Sequence, residues 1–137
     1  MEQTSKYGLS QWDAEDRILR EDFNADNAKI KAALDNVTEI ASAASKLHFG
    51  TYKGTVTASQ TISLGFTPKI IIVCTEAGMF SDANGNYYGG LAFTGIPCIS
   101  ASTKVLEIVD NGFIAYYSNG NKASANANRT YHYIAVE

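Results

Sequence analysis

The chain has 137 residues, 45% of them hydrophobic and 18% charged, with a net charge of −3. That composition fits one folded unit with an appendage and argues against a disordered chain. No cluster of Lys and Arg forms a basic face, which excludes nucleic acid as the main partner. The longest apolar run, Ile70–Cys74, is too short to span a bilayer, and the first residues carry no apolar core of a secretory signal.

The first predicted element is a helix. Ser10 with Asp13 three positions on reads as a helix start, followed by Glu15 and Asp16 where the helix dipole favours acids. No Pro or Gly occurs from Ser10 to Phe49, so a single helix over Ser10–Leu47 is expected, roughly 57 Å long at the standard rise. The Asn24–Asn27 patch is its weak point. Phe23, Ile30, Val37 and Ala44 lie seven apart, with a second row at Leu19, Ala33, Ile40 and Leu47 broken by Asp26. Seven-residue spacing over about four heptads predicts a coiled coil with these eight residues in its seam. The alternative is an amphipathic helix lying on the following domain.

The pattern changes near residue 48. Short β-type segments follow: TYKGTVTA, QTISLGF, TPKIIIVCTE, NYYGGLAF, KVLEIVD, FIAYYS and RTYHYIAV. Asn111-Gly112 suits a type I′ turn that joins two of them as a hairpin. In the last segment Tyr131, Tyr133 and Ala135 face one side, and His132, Ile134 and Val136 the other. Ala77–Asn86 and Ser118–Asn128 read as loops. The predicted fold is α+β: a long N-terminal helix forming a trimeric coiled coil over residues 1–48, then an antiparallel β-sandwich over 49–137.

Candidates for chemistry are few. Glu76, Asp82, Glu107 and Asp110 are the carboxylates from which an acid pair could be drawn, and none sits in a supporting motif. Cys74 and Cys98 lack the spacing of a redox or zinc site and read as buried or half-buried thiols, with a bridge as the alternative. His132 reads as a core or interface histidine rather than a metal ligand, and His48 as a charge at the helix end or a solvated residue. Phosphate-loop signatures are missing, and the sequons at Asn36 and Asn128 read as chance matches. The expectation is a non-enzyme without cofactor or metal.

The β region is instead rich in tyrosine and asparagine. Tyr87, Tyr88, Asn84, Asn86, Asn119 and Asn121 are the candidate ligand-binding residues, because flat amphipathic rings with neutral amides suit sugars. The competing explanation is that the rings fill the core and the asparagines make turns.

Two stretches carry a resemblance. YGLSQWDAEDRILREDFNADNAKIKAALD resembles the N-terminal segment of small tail-tip proteins from phages and prophages of Gram-positive bacteria. GTYKGTVTASQTISLGFTPKIIIV, with NGFIAYYS and TYHYIAV, resembles their C-terminal β-domain. The resemblance implies a homotrimeric tail fibre or receptor-binding protein, located in the virion and made in the host cytoplasm. Its tip would recognise a host surface polysaccharide. Its N-terminal segment, including Trp12, would attach to another tail or baseplate protein. No nucleic acid and no membrane insertion are implied. The alternatives are a purely structural tail component and a depolymerase using Glu76 or Glu107.

Overall fold

The computed structural model describes residues 2–120 and 122–137. The chain folds as two compact units, Met1–Ala44 and Ser45–Glu137.

The N-terminal unit overturns the predicted long helix. Strands β1 (Glu2–Gln3) and β2 (Ser10–Gln11) form a short antiparallel hairpin, and α1 spans only Arg20–Ala43, 24 residues. Ser10 is therefore a strand residue and not a helix cap. Its N–H donates to Asp26 Oδ2 at 2.8 Å, and the Lys29 ammonium donates to the Gly8 carbonyl, so the hairpin folds back on the helix. Asp26, the polar break in the second apolar row, is thus an anchor for the chain before it.

A local cause stops the helix from starting earlier. The Asp13 N–H bonds Asp16 Oδ2 and the Asp16 N–H bonds the Asp13 carbonyl, both at 3.0 Å. Such side-chain bonds compete with helical ones. Leu19 caps α1 without a side-chain bond, and Glu21 and Asp22 occupy its first turn. At the other end Ala44 is extended, and Leu47 pairs with Val136 in a sheet.

The eight-residue seam is corrected accordingly. Phe23, Ile30, Ala33, Val37 and Ile40 lie on α1; Leu19 and Ala44 are its caps; Leu47 is a strand residue. Four heptads of continuous helix do not exist, and no coiled-coil stalk follows. The 3.5-residue period is real only over a 24-residue helix that buries none of its residues. Tyr7 and Leu9 line an apolar groove of about 510 Å³ with Ile30, Ala33, Leu34 and Val37. None of the helices among the described residues is long and apolar enough to cross a membrane.

The C-terminal unit is all β. In chain order it contains β3 (Leu47–Lys53), β4 (Ser59–Ser63), β5 (Ile70–Thr75), β6 (Gly90–Phe93), β7 (Cys98–Ser100), β8 (Thr103–Val109), β9 (Gly112–Ser118), β10 (Ala123–Ser124) and β11 (Thr130–Val136). A four-stranded antiparallel sheet runs β3-β11-β5-β6. A five-stranded one runs β10-β9-β8-β7, with β4 also paired to β9. With the hairpin sheet, the described residues are mostly β, which corrects the predicted α+β class and its helical first third.

Both larger sheets contribute to one core. Ile71, Val73, Tyr131 and Ala135 come from the four-stranded sheet; Val105, Leu106, Phe113 and Ala115 come from the five-stranded one, and all are fully buried. Rings bridge them: Phe113 stands edge-on to Tyr52 at 5.8 Å and to Tyr133 at 5.5 Å. Gly50 makes room for this packing, because a Cβ there would lie 2.3 Å from the Tyr133 ring. β8 and β9 form the hairpin read from Asn111-Gly112, but the two turn residues are Asp110 and Asn111, since Val109 pairs with Gly112. Asn111 takes the positive φ of 63°, while Gly112 opens the strand; a type I′ turn would need positive φ at both central residues.

His48 is another correction. It is a β3 residue whose Nε2 lies 3.0 Å from Glu137 Oε2 and whose ring packs on Phe66 at 4.3 Å, rather than a helix-end charge. Cys74 and Cys98 are unbridged; burial pushes the Cys98 thiol up.

Candidate functional site

Three segments of the β unit meet at a polar groove of about 240 Å³. The loop between β5 and β6 supplies Asn86 and Tyr88. The end of β9 and the turn after it supply Tyr117, Ser118 and Asn119. The segment from β10 to β11 supplies Ser124 and Arg129.

Asp82 organises the first segment. Its Oδ1 accepts the N–H groups of Asn84 at 2.9 Å and Asn86 at 3.0 Å. Its Oδ2 accepts the Asn86 side-chain amide at 2.9 Å and the Tyr88 hydroxyl at 2.8 Å. These bonds, led by those from Asn86 and Tyr88, hold the Asp82 carboxyl down at about 2, because they favour the ionised form. The same bond to Asp82, with burial, pushes the Tyr88 phenol up. The loop is also tied to its neighbour: the Tyr87 N–H donates to the Lys122 carbonyl and the Ser124 N–H to the Tyr87 carbonyl, each at 2.7 Å.

The third segment rests on a buried frame. Tyr52 and Tyr131 stack at 4.9 Å. Their hydroxyls donate to the carbonyls of Ala125 at 2.6 Å and Ser124 at 2.5 Å. Asn126 is fully buried and ties this segment to the β3–β4 turn. Its Oδ1 accepts the Thr55 N–H at 2.8 Å, and its Nδ2 donates to the Thr57 carbonyl at 2.8 Å. A loop pinned at three successive residues, Ser124, Ala125 and Asn126, holds its exposed side chains in place, as a binding surface requires.

Arg129 leaves this frame over the Tyr88 ring, with its guanidinium carbon 4.8 Å from the centroid. The Tyr88 hydroxyl is held by Asp82, so ring and guanidinium are oriented together. The groove thus presents the Arg129 guanidinium held over the buried Tyr88 ring, with the half-buried Tyr117 ring, amides and hydroxyls around it.

Of the predicted ligand residues, Asn86, Tyr88 and Asn119 line the groove. Tyr88 contributes as a buried platform rather than an exposed ring. Asn84 and Tyr87 lie beside it in the same loop, with the Asn84 carbonyl accepting from Lys122 Nζ at 2.6 Å. Asn121 lies outside the described residues. Sequence reasoning missed Arg129, Tyr117, Ser118 and Ser124 as groove residues. An arginine flanking the Asn- and Ser-rich stretch from Ser118 to Asn128 was the available signal.

The carboxylates considered for catalysis do not converge with it. Glu107 lies on β8, bonded to Lys104 and to the Tyr116 hydroxyl at 2.7 Å. Among the described residues no three His, Cys, Asp or Glu side chains gather as a metal site would need. No family model, no curated protein and no solved structure matches the chain.

Proposed function

We propose that this chain is a phage tail-fibre or receptor-binding protein, working as a homotrimer whose β unit recognises a host cell-surface glycan or wall polymer. The observation that carries the recognition reading is the groove in which the Tyr88 ring, the Arg129 guanidinium and neutral amides converge on a pinned frame. Sugar rings need a flat apolar platform and their hydroxyls need neutral hydrogen-bonding groups. Three copies give avidity to sites that are individually weak. The tail assignment rests on the sequence resemblance, which also gives the virion location, synthesis in the host cytoplasm, and attachment to another tail or baseplate protein through the segment around Trp12.

The test is adsorption. Purified chain is titrated against cell walls and wall polysaccharides of Gram-positive hosts, beside Arg129→Ala and Tyr117→Ala. Saturable binding that both substitutions weaken at least roughly tenfold supports the reading. Binding to no wall material sinks it.

A purely structural tail component is the second reading. The observation in its favour is that Leu47, Phe49, Leu91 and Phe93 of the four-stranded sheet are exposed, which suits protein contacts rather than sugars. It predicts that the same substitutions leave host adsorption unchanged.

A further inference from the structure

An antiparallel sheet with one face in water normally alternates apolar and polar residues along each strand. The four-stranded sheet does not. Its registers place Phe49 opposite Ile134, Ile134 opposite Ile72, and Ile72 opposite Leu91. The next outward row runs Leu47, Val136, Ile70 and Phe93. Eight large apolar side chains therefore cross all four strands in two unbroken rows, on the face opposite the buried Ile71, Val73 and Ala135. Four of them are exposed: Phe49 at 71%, Leu47 at 59%, Leu91 at 46% and Phe93 at 40%. A shallow depression of about 410 Å³ lies between Phe49, Ile72 and Ile134, with Thr51, Cys74 and His132 along one side.

We propose that this face is buried against further copies of the same chain. The two rows carry no charge, so apposing identical faces brings no like charges together. Size points the same way. At roughly 200 Å² for a large side chain, the four exposed residues alone leave on the order of 400 Å² in water. With the four half-buried members, two apposed faces remove roughly 1,000 Å², the lower bound for a biological interface and the size of a weak, reversible one. Sheets stack about 10 Å apart with interdigitating side chains, and two rows of branched and aromatic residues supply that interdigitation. Two identical faces pair about a twofold axis, so this contact joins copies across proposed homotrimers rather than closing one, and it is independent of the glycan.

Sedimentation equilibrium of the full chain tests it. Wild type is compared with Phe49→Asp, Leu91→Lys and a control on the other sheet, Ile114→Asp, with circular dichroism verifying that each is folded. Phe49 and Leu91 are exposed in the single chain, so both variants keep the monomer fold. The expected result is a wild-type mass that is a multiple of 14.8 kDa, association weakened at least roughly tenfold by Phe49→Asp and Leu91→Lys, and no change for Ile114→Asp. An assembled wild type that neither Phe49→Asp nor Leu91→Lys disturbs overturns this surface and leaves the homotrimer standing. A monomeric wild type overturns both. A monomer that uses this face for a different tail protein overturns the assignment to copies.

Discussion

The outer faces of the two large sheets differ although both cover the same core. On the five-stranded sheet, β4 turns Ser59, Thr61 and Ser63 outward, and Thr61 stands opposite Ile114. Tyr116 donates to Glu107, which also holds Lys104. Lys104 and then Tyr116 keep the Glu107 carboxyl below its ordinary range, while burial and then Glu107 push the Tyr116 phenol up to about 12. The apolar members Ile99, Val109 and Ile114 fall in separate rows, opposite Lys104, Gly112 and Glu107. On the four-stranded sheet the same positions hold two complete apolar rows. The inner alternation makes the fold in both. The outer alternation separates a face suited to water from one suited to protein.

The shared core gives the largest expected effect. Phe113→Ala removes the ring that joins the sheets and should lower the unfolding free energy by about 3–5 kcal/mol, read by urea titration. Both faces should be lost in one transition; separate transitions would show that the sheets do not share a core. Asn126→Ala strands the Thr55 N–H and the Thr57 carbonyl, for an expected loss of about 1–3 kcal/mol in the same titration. It should loosen the groove and leave association through the outer rows unchanged.

Acid reaches the groove through Asp82. Its carboxyl lies at about 2 in the folded chain against an ordinary 3.8. Because its folded value is the lower one, its contribution is fully present above 3.8 and is lost as pH falls through about 2. Amide exchange in residues 82–88 should rise across that window, and Asp82→Asn should remove the pH dependence. The smallest effect should come from Tyr116→Phe. It deletes one partly exposed hydrogen bond on the polar face, for about 1 kcal/mol or less by thermal melt.

Much of the β unit is legible in the sequence because strand alternation and turn residues are local. The two sides of β11 are those of the structure, with Tyr131 and Ala135 buried and His132 exposed. The Asn111 turn was visible, but its register was off by one residue, since a residue of positive φ can close a turn without Gly beside it. The helix was overread because heptad spacing ran through Leu19 and Leu47, one a cap and the other a strand residue. The Asp13–Asp16 turn that delays the helix mimics an acidic first turn in sequence. The apolar rows were hidden for a different reason. Leu47 and Phe49, Ile70 and Ile72, Leu91 and Phe93 come from distant stretches, and only pairing register puts them side by side. Arg129 is likewise placed by folding, through Tyr131 and Asn126 beneath its loop.

The two proposals assign different surfaces: recognition to the groove and association to the apolar sheet face. Amide chemical-shift mapping of the labelled chain with host wall oligosaccharide reads both at once. Saturable shifts are expected at Asn86, Tyr88, Tyr117, Ser118 and Arg129, with Phe49, Ile72 and Ile134 unmoved. Shifts centred on Phe49, Ile72 and Ile134, or no shifts with any wall oligosaccharide, would contradict that division.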